Sequence, residues 1–182
     1  MNVEIRRIHA GEGPQLRVLR LRALADDPSA FSSTYAREEL FPETRWVQWA
    51  KESAAGDDHA LFVAIVDGIS RGLIGAARAE PIGDLEDRLL ARSTGAHGVG
   101  LYSMWTDPEY RGHGLGRQLV DAAIAWAEDI RAPYVALWVT RDNERAIELY
   151  RRTGFTETDV VRSVPDDPCA GQIRLVRAST AG

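Results

Sequence analysis

Apolar and polar residues repeat with two different periods along this chain, and each period predicts one kind of secondary structure. Alternation with period two near the start predicts a first strand over Val3–Ile8. The almost continuous apolar run His59–Val66 predicts a buried strand, and Gly72–Ala79 follows the Asp67-Gly68 turn as its hairpin partner. Further strands are predicted over Val99–Trp105, Tyr134–Thr140, Phe155–Val160 and Ile173–Val176.

Apolar residues at helical spacing predict helices between these strands. The first helix opens at Gly11–Pro14 and stops at Asp26-Asp27-Pro28, where a proline interrupts the pattern. The second covers about Pro42–Ala54 and carries Trp46, Val47, Trp49 and Ala50 on one side. Two more helices are predicted further along the chain, directly after Gly116 and from Asp142 or Asn143 to Gly154.

The order of these elements predicts the topology of the sheet. A strand, a crossover helix and another strand give a parallel pair, Val99–Trp105 with Tyr134–Thr140. We therefore predict an α/β (α+β) fold with a central, mixed, mostly antiparallel sheet and helices on both faces. The link Glu80–Gly98 is interpreted as a solvated insertion with a short helical turn at Leu85–Ala91, and Ser163–Gly171 as a loop.

Length and composition are typical of a single globular domain. With 182 residues, 45% of them hydrophobic and 27% charged, the chain can bury a core of its own. We expect one domain over residues 1–177 and a flexible tail over residues 178–182. No segment resembles a signal peptide or a membrane span, so we expect a cytoplasmic protein that does not contact membranes.

The charged residues and the cysteine exclude other classes of function. A net charge of −5 argues against nucleic acid as a partner, because phosphate backbones require clustered Lys and Arg. The same charge is compatible with a cationic substrate such as an amine. The single cysteine, Cys169, excludes an intrachain disulfide, and the four histidines lack the spacing of metal ligands, so no metal is expected.

A glycine-rich segment carries the clearest candidate chemistry. Three glycines alternate in Arg111-Gly112-His113-Gly114-Leu115-Gly116, and an amphipathic helix begins directly behind them. Unpaired N–H groups at the positive end of such a helix bind anions, so we expect a phosphate or diphosphate there. The spacing differs from the dinucleotide fingerprint and from the P-loop. On the glycines alone, a tight turn without a ligand is an equally good interpretation.

Residues around these glycines resemble a known family. The pattern Arg111-x-x-Gly114-x-Gly116, preceded by Asp107-Pro108-Glu109-Tyr110, resembles the acetyl-CoA-binding loop of the GNAT superfamily of N-acetyltransferases. Leu137-Trp138-Val139 resembles that family's fifth strand. The next helix and turn of the family are matched by Asn143, Ala146, Tyr150, Gly154 and Phe155. The resemblance covers about Val99 to Phe155 and implies the acyl-CoA N-acyltransferase fold.

The resemblance also implies which residues hold acetyl-CoA. Its pantetheine amides would pair with the backbone at Met104, Trp105 and Thr106, as an added strand would. Asn143 would contact the cofactor too, although asparagine at this position is equally well explained as a helix cap. The diphosphate would bind backbone N–H groups within the run Arg111, Gly112, His113, Gly114, Leu115, Gly116 and Arg117. The side chains of Arg111 and Arg117 would add charge or are ordinary surface arginines, and for Arg117 the second interpretation is favoured.

Acetyl transfer to an amine requires a proton donor for the departing thiolate. Tyr150 is the candidate general acid, because a phenol with a pKa of about 10 stays protonated at neutral pH. A tyrosine at this motif position often has that role in the family, whereas without the motif a core aromatic would explain Tyr150 better.

A proton acceptor for the amine is less clearly marked. Glu38 and Glu39 lie in the segment expected to border the acceptor pocket, and we favour Glu38 of the two, although surface charge explains each of them better. Phe31, Tyr35 and Trp46 would form walls of that pocket or belong to the core.

We therefore predict an acyltransferase that moves the acetyl group of acetyl-CoA to a primary amine of a small molecule or amino acid. A protein or peptide N-acetyltransferase and a non-catalytic acyl-CoA-binding module on the same fold are the alternatives. A nucleotide-binding regulatory protein is a third idea, which rests on the glycines alone. The resemblance is compatible with a homodimer, and the sequence does not identify the acceptor.

Overall fold

The computed structural model describes residues 2–31, 33–79, 97–164 and 167–179. The strands in these ranges are β1 (Val3–Arg7), β2 (His59–Val66), β3 (Ile69–Ala79), β4 (Gly98–Thr106), β5 (Tyr134–Thr140), β6 (Thr156–Val164) and β7 (Asp167–Ala178). The α-helices are α1 (Gly13–Asp26), α2 (Tyr35–Glu38), α3 (Glu43–Ala54), α4 (Leu115–Asp129) and α5 (Glu144–Arg152). The chain divides into two compact units, Met1–Gly75 with Ser103–Ala123 and Ala76–Tyr102 with Ile124–Gly182.

The strands form a seven-stranded sheet in the order β1-β2-β3-β4-β5-β7-β6. β1 pairs antiparallel with β2, and both β5 and β6 pair antiparallel with β7. β4 and β5 are parallel, as the crossover through α4 requires, and their ladder ends where Leu101 lies opposite Leu137. The mixed, mostly antiparallel sheet predicted from the sequence is therefore confirmed.

An apolar cluster inside the first unit explains why α1 and α3 form where they do. Its buried members come from one side of each helix and from the strands beside them, namely Ile8, Leu16, Leu19, Ala23, Trp46, Ala50, Leu61, Val63, Leu73 and Trp105. A Cβ on Gly13 would lie only 2.8 Å from the Val47 Cα, which shows that α1 and α3 are in close contact at this point. Of the apolar residues of α3, Trp46 and Ala50 are buried, whereas Val47 is 43% exposed.

Helix α5, in the second unit, begins and ends as its sequence predicts. The Asn143 side-chain oxygen accepts a hydrogen bond from the Ala146 N–H at 3.1 Å and caps the first turn. Gly154, with φ of +89°, follows the last turn in the left-handed conformation that glycine adopts readily. Between these ends, Ile147 and Tyr150 are buried.

The β6–β7 hairpin is longer than predicted. The sequence suggested a loop over Ser163–Gly171, but β6 extends to Val164 and β7 begins at Asp167. The pair Ser163–Gly171 continues the ladder beyond a register shift near Val161. Pairing with a neighbouring strand therefore outweighs the low strand preference of these polar and glycine residues.

Two further predictions fall wholly or partly outside the described residues. The helical turn at Leu85–Ala91 lies within the undescribed part of the link between β3 and β4. Of the predicted tail 178–182, Ala178 ends β7 and the Ser179 N–H donates to the Pro133 carbonyl at 3.1 Å. Residues 180–182 are not described.

Candidate functional site

The glycine loop is open on one side. Gly112 and Gly114 have φ of +84° and +81°, a conformation in which a side chain would be strained. Apart from its two chain neighbours, no atom of the described residues lies within 4 Å of the position that a Cβ on Gly112 would occupy, and at Gly114 the nearest is the Gln118 amide nitrogen at 3.9 Å. A ligand can therefore approach the backbone of this loop closely.

The start of α4 supplies the donors for such a ligand. The Gln118 N–H makes the first helical hydrogen bond, to the Gly114 carbonyl at 3.1 Å. The N–H groups of Leu115, Gly116 and Arg117 precede it and have no acceptor inside the helix. Together with the positive end of the helix dipole, they form a site that fits the oxygens of a diphosphate.

The partly exposed Arg111 is bound to groups of the protein itself. Its backbone N–H donates to the Pro108 carbonyl at 3.3 Å, and its Nε donates to the Thr106 carbonyl at 3.0 Å. Its Nη2 is paired with the carboxylate of Asp26, at the end of α1. The side chain therefore holds the loop entrance in place, and the open N–H groups begin at Gly112.

Two aspartates position the end of β4. Asp26 also accepts a hydrogen bond from the Trp105 Nε1 at 2.9 Å. Asp107 is fully buried between Arg22 and Arg71, whose nitrogens lie 2.8 and 2.9 Å from its Oδ2. From the sequence, Asp26 was interpreted only as part of a helix stop, because its partners are distant in the chain.

The remaining predicted cofactor residues differ in what they can offer. The Trp105 side chain is buried, so only its backbone is available, while Met104 and Thr106 are partly exposed. Ser103, directly before them, has φ of +55°, which is unusual for a residue other than glycine and interrupts the regular strand. Arg117 is exposed on α4, where its Nε lies 3.4 Å from the Asp121 carboxylate.

Tyr150 lies in an apolar setting. Its side chain is 6% exposed, and its ring contacts the ring of Phe155 edge-on at a centroid distance of 5.7 Å. Burial raises the pKa of Tyr150 above its ordinary value. The phenol is therefore protonated throughout the neutral range and can act as a proton donor.

Glu38 is held by an arginine that sequence reasoning missed. Arg20 donates from Nε and Nη2 to both Glu38 carboxylate oxygens, at 2.9 and 2.8 Å, and both side chains are buried. Burial raises the pKa of Glu38, but the hydrogen bonds and charge of Arg20 have a larger, opposite effect. The pKa of Glu38 therefore lies below its ordinary value. A carboxylate in this state is a weak proton acceptor.

Arg20 connects this ion pair to the irregular part of β4. Its Nη1 donates to the Ser103 Oγ at 3.0 Å, and its guanidinium lies 4.5 Å from the centre of the Phe31 ring. A charged residue within the apolar stripe of α1 was the available signal in the sequence. Glu39, the other candidate base, is exposed at the end of α2.

None of the helices that the structure describes is long and apolar enough to cross a bilayer. The described side chains also include no cluster of three or more His, Cys, Asp or Glu that could hold a metal ion.

Residues 21–155 match the profile of the Acetyltransferase (GNAT) family, and the chain belongs to this family. An uncharacterised N-acetyltransferase of Methanocaldococcus jannaschii is 32% identical over 138 residues, which are 75% of this chain and 54% of that protein. A mycothiol acetyltransferase of Thermobifida fusca is 29% identical over 181 residues, covering 91% of this chain and 48% of that protein. The chain thus spans about half the length of these curated relatives.

Solved structures show the same fold. An acetyltransferase of the GNAT family from Streptococcus pneumoniae has a TM-score of 0.77 at 19% identity, over 97% of this chain and 99% of that chain. A Salmonella typhimurium protein solved with acetyl-CoA has a TM-score of 0.72 at 16% identity, over 98% of this chain and 94% of that chain. The acyltransferase fold that the family resemblance implied is therefore confirmed.

Proposed function

We propose that this chain is an N-acetyltransferase that moves the acetyl group of acetyl-CoA to a primary amine of a small molecule or amino acid. The observation that carries the proposal is the open glycine loop at the start of α4, in a chain that belongs to the GNAT family. The mycothiol acetyltransferases among its relatives, such as that of Thermobifida fusca, favour a small-molecule acceptor over a protein.

Acetyl-CoA would be held by backbone groups. The N–H groups of residues 112–117 would bind the diphosphate, and the side chain of Arg111 would fix the loop rather than contact the phosphates. Backbone groups of β4 from Met104 to Thr106 would pair with the pantetheine amides. Asn143 caps α5 with its amide oxygen and would offer its NH₂ group to the cofactor.

Tyr150 would supply the proton that the leaving group needs. When bound, acetyl-CoA brings a thioester whose thiol has a pKa of about 8.5, well below that of a tyrosine. Full transfer of a proton to the free thiolate is uphill on these pKa values, so the protonated phenol would donate to the sulfur while the carbon–sulfur bond breaks, and the phenolate would then recover a proton from water. The edge-on contact with Phe155 restricts the ring and limits the directions in which the Oη can point.

Glu38 suits a positioning role better than that of general base. Both of its oxygens are bound to Arg20, and loss of this charge would leave the buried guanidinium without its partner. The pair would hold α2 against α1 and fix Ser103 in β4. The amine proton would then leave through water, with Glu39 as the remaining candidate acceptor.

The proposal is tested by thermal unfolding with and without acetyl-CoA, using two matched glycine variants. Gly112→Ala and Gly68→Ala both place a side chain at positive φ, +84° and +82°, with nothing within 4 Å. Each should cost about 1 kcal/mol of stability. Gly112→Ala should also abolish most of the increase in Tm that acetyl-CoA gives, while Gly68→Ala should retain it. An unchanged Tm of the unmodified protein with acetyl-CoA would overturn the proposal.

A further inference from the structure

Two arginines and a tryptophan lie side by side on one face of the sheet in the second unit. Trp138 of β5 lies opposite Arg174 of β7, and Arg162 of β6 lies opposite Gln172 of β7. Alternate residues of a strand point to opposite faces, so Arg174 and Gln172 share a face. Trp138, Arg162, Arg174 and Gln172 together form a patch on this face, called here the Trp138 patch.

The opposite face belongs to a helix. Val161 and Ile173 alternate with the residues of the Trp138 patch and line a groove together with Ile147 of α5. α5 therefore covers the face that carries the aliphatic side chains. The Trp138 patch lies on the other face, with Arg162 exposed and both Trp138 and Arg174 half-buried.

Both guanidinium groups contact the same indole ring. The Arg162 Cζ lies 4.3 Å from the centroid of the Trp138 ring, and the Arg174 Cζ lies 5.5 Å from it. Cation–π contact of this kind is favourable for each arginine, but it brings two positive charges together. Burial lowers the pKa of Arg162, and the charge of Arg174 lowers it further.

No carboxylate neutralises this pair within the part of the chain that the structure describes. Arg162 donates from Nε to the neutral Gln172 amide oxygen at 2.8 Å, and the buried Nε of Arg174 has no hydrogen-bond partner. By contrast, Arg177 of the same strand is paired with Glu128 at 3.0 Å. An oxyanion at the accessible atoms of the two guanidinium groups would offset the repulsion between their positive charges.

The patch begins where β5 leaves its parallel partner. Leu137 is the last residue of β5 in the ladder with β4, and Trp138 follows it directly. In the proposed function, the part of β4 that follows the end of this ladder pairs with acetyl-CoA instead of with β5. The patch therefore begins at the point of β5 where its pairing with β4 ends.

We propose that Arg162 and Arg174, beside Trp138, bind a carboxylate of the acceptor, and that the acceptor is therefore an amino acid or another amine that carries a carboxylate. Planar guanidinium groups match the two oxygens of a carboxylate, and the indole provides an apolar wall for the carbon atoms beside it. This inference rests on the proposed acetyl transfer for its biological meaning, but the anion site can be tested without turnover.

The direct test compares two small probes that differ in charge alone. N-acetylglycine carries a carboxylate, whereas N-acetylglycinamide does not, and both are measured at equal ionic strength. At about 50 mM, N-acetylglycine should raise the Tm by about 2–4 °C, and the amide should not. Equal shifts with the two probes, or no shift with N-acetylglycine, would overturn the site.

Variants locate the effect and separate it from acetyl-CoA binding. Arg162→Gln and Arg174→Gln should each remove most of the shift with N-acetylglycine and keep the shift with acetyl-CoA. Arg152→Gln is the matched control, since Arg152 is 72% exposed and paired with Glu148 on α5, and it should keep both shifts. If both patch variants keep the N-acetylglycine shift, the assignment is wrong, whatever acetyl-CoA does.

A kinetic comparison extends the test to the acceptor. The unmodified protein should acetylate an amino acid with a kcat/KM at least about tenfold above that of its amide. Each patch variant should reduce this preference toward unity, chiefly through KM. A preference for the amide, or one that both variants leave intact, would contradict the proposal.

Discussion

Asp26, the last residue of α1, binds the side chain of Arg111, which precedes the glycine loop. The two residues are 85 positions apart in the chain. The same carboxylate accepts a hydrogen bond from Trp105 at the end of β4, so it holds the strand and the loop in one arrangement. We infer that the geometry of the cofactor loop depends on a residue that need not touch the cofactor.

Replacement of Asp26 should therefore weaken cofactor binding indirectly. We expect Asp26→Asn to raise the Kd for acetyl-CoA about fivefold, measured by calorimetry, because Arg111 and Trp105 lose a charged acceptor. Asp121→Asn removes the exposed partner of Arg117 and should leave the Kd within a factor of about two. A lower Kd in Asp26→Asn would instead indicate that Arg111, once released, binds the phosphates itself.

Tyr150→Phe should separate chemistry from binding. We expect kcat to fall about 100-fold or more, because the departing thiolate loses its proton donor. The increase in Tm with acetyl-CoA should remain, since the ring and its contact with Phe155 are kept.

The pH dependence of the unmodified enzyme gives an independent check on Tyr150. The phenol is active in its protonated form, and its pKa is raised, so it stays active beyond the ordinary tyrosine value of about 10. If the kcat of the unmodified enzyme falls with rising pH anywhere below about pH 10, Tyr150→Phe should therefore show the same fall. Such a limb near pH 8 would argue against Tyr150 as the acid.

The sequence predicted most elements of the fold because their signals are local. His59–Val66 and Tyr134–Thr140 were predicted with the bounds that the structure shows, because each is a short run rich in apolar, β-branched and aromatic residues with turn residues beside it. Asn143 and Gly154 marked the ends of α5 through capping preferences that depend on a few neighbouring residues. The glycine loop was recognised for the same reason.

The contacts that complete the site depend on tertiary structure and were not predicted. The sequence gives no local reason for Ser103 to adopt positive φ, and it did not indicate that Arg20 would pair with Glu38. The Trp138 patch depends on the registers in which β7 pairs with β5 and with β6, and the β6–β7 hairpin is longer than the sequence predicted. Side-chain partners on distant elements are decided by packing, which a single sequence does not reveal.

The role of Glu38 can be decided by its pH–rate profile. A general base would give kcat/KM an acidic limb that disappears in Glu38→Gln, whereas a positioning residue would lower kcat/KM by a similar factor at every pH. We expect the second result, because Arg20 occupies both carboxylate oxygens. Glu38→Gln should also destabilise the fold by about 3 kcal/mol, since it leaves a buried guanidinium unpaired. The double variant Arg20→Met/Glu38→Leu should recover much of that loss.

The ion pair of Glu12 with Arg6 should make part of the stability depend on pH. Two hydrogen bonds from Arg6, at 2.8 and 2.6 Å, lower the pKa of Glu12 from 4.5 to about 2, against the opposing effect of burial. A carboxylate whose pKa is depressed by folding stabilises the native state above its unfolded pKa. This contribution is lost as the pH falls from 4.5 toward about 2.

Urea unfolding of Glu12→Gln at several pH values measures this contribution. The variant should be less stable by about 1–3 kcal/mol at neutral pH, and the difference should nearly vanish at about pH 2. Glu4→Gln is the control, because Glu4 lies 3.5 Å from the same arginine but is 58% exposed, and it should change stability by less than about 0.5 kcal/mol. A penalty for Glu12→Gln that is the same at both pH values would mean that packing, and not the charge of Glu12, holds the start of α1 to β1.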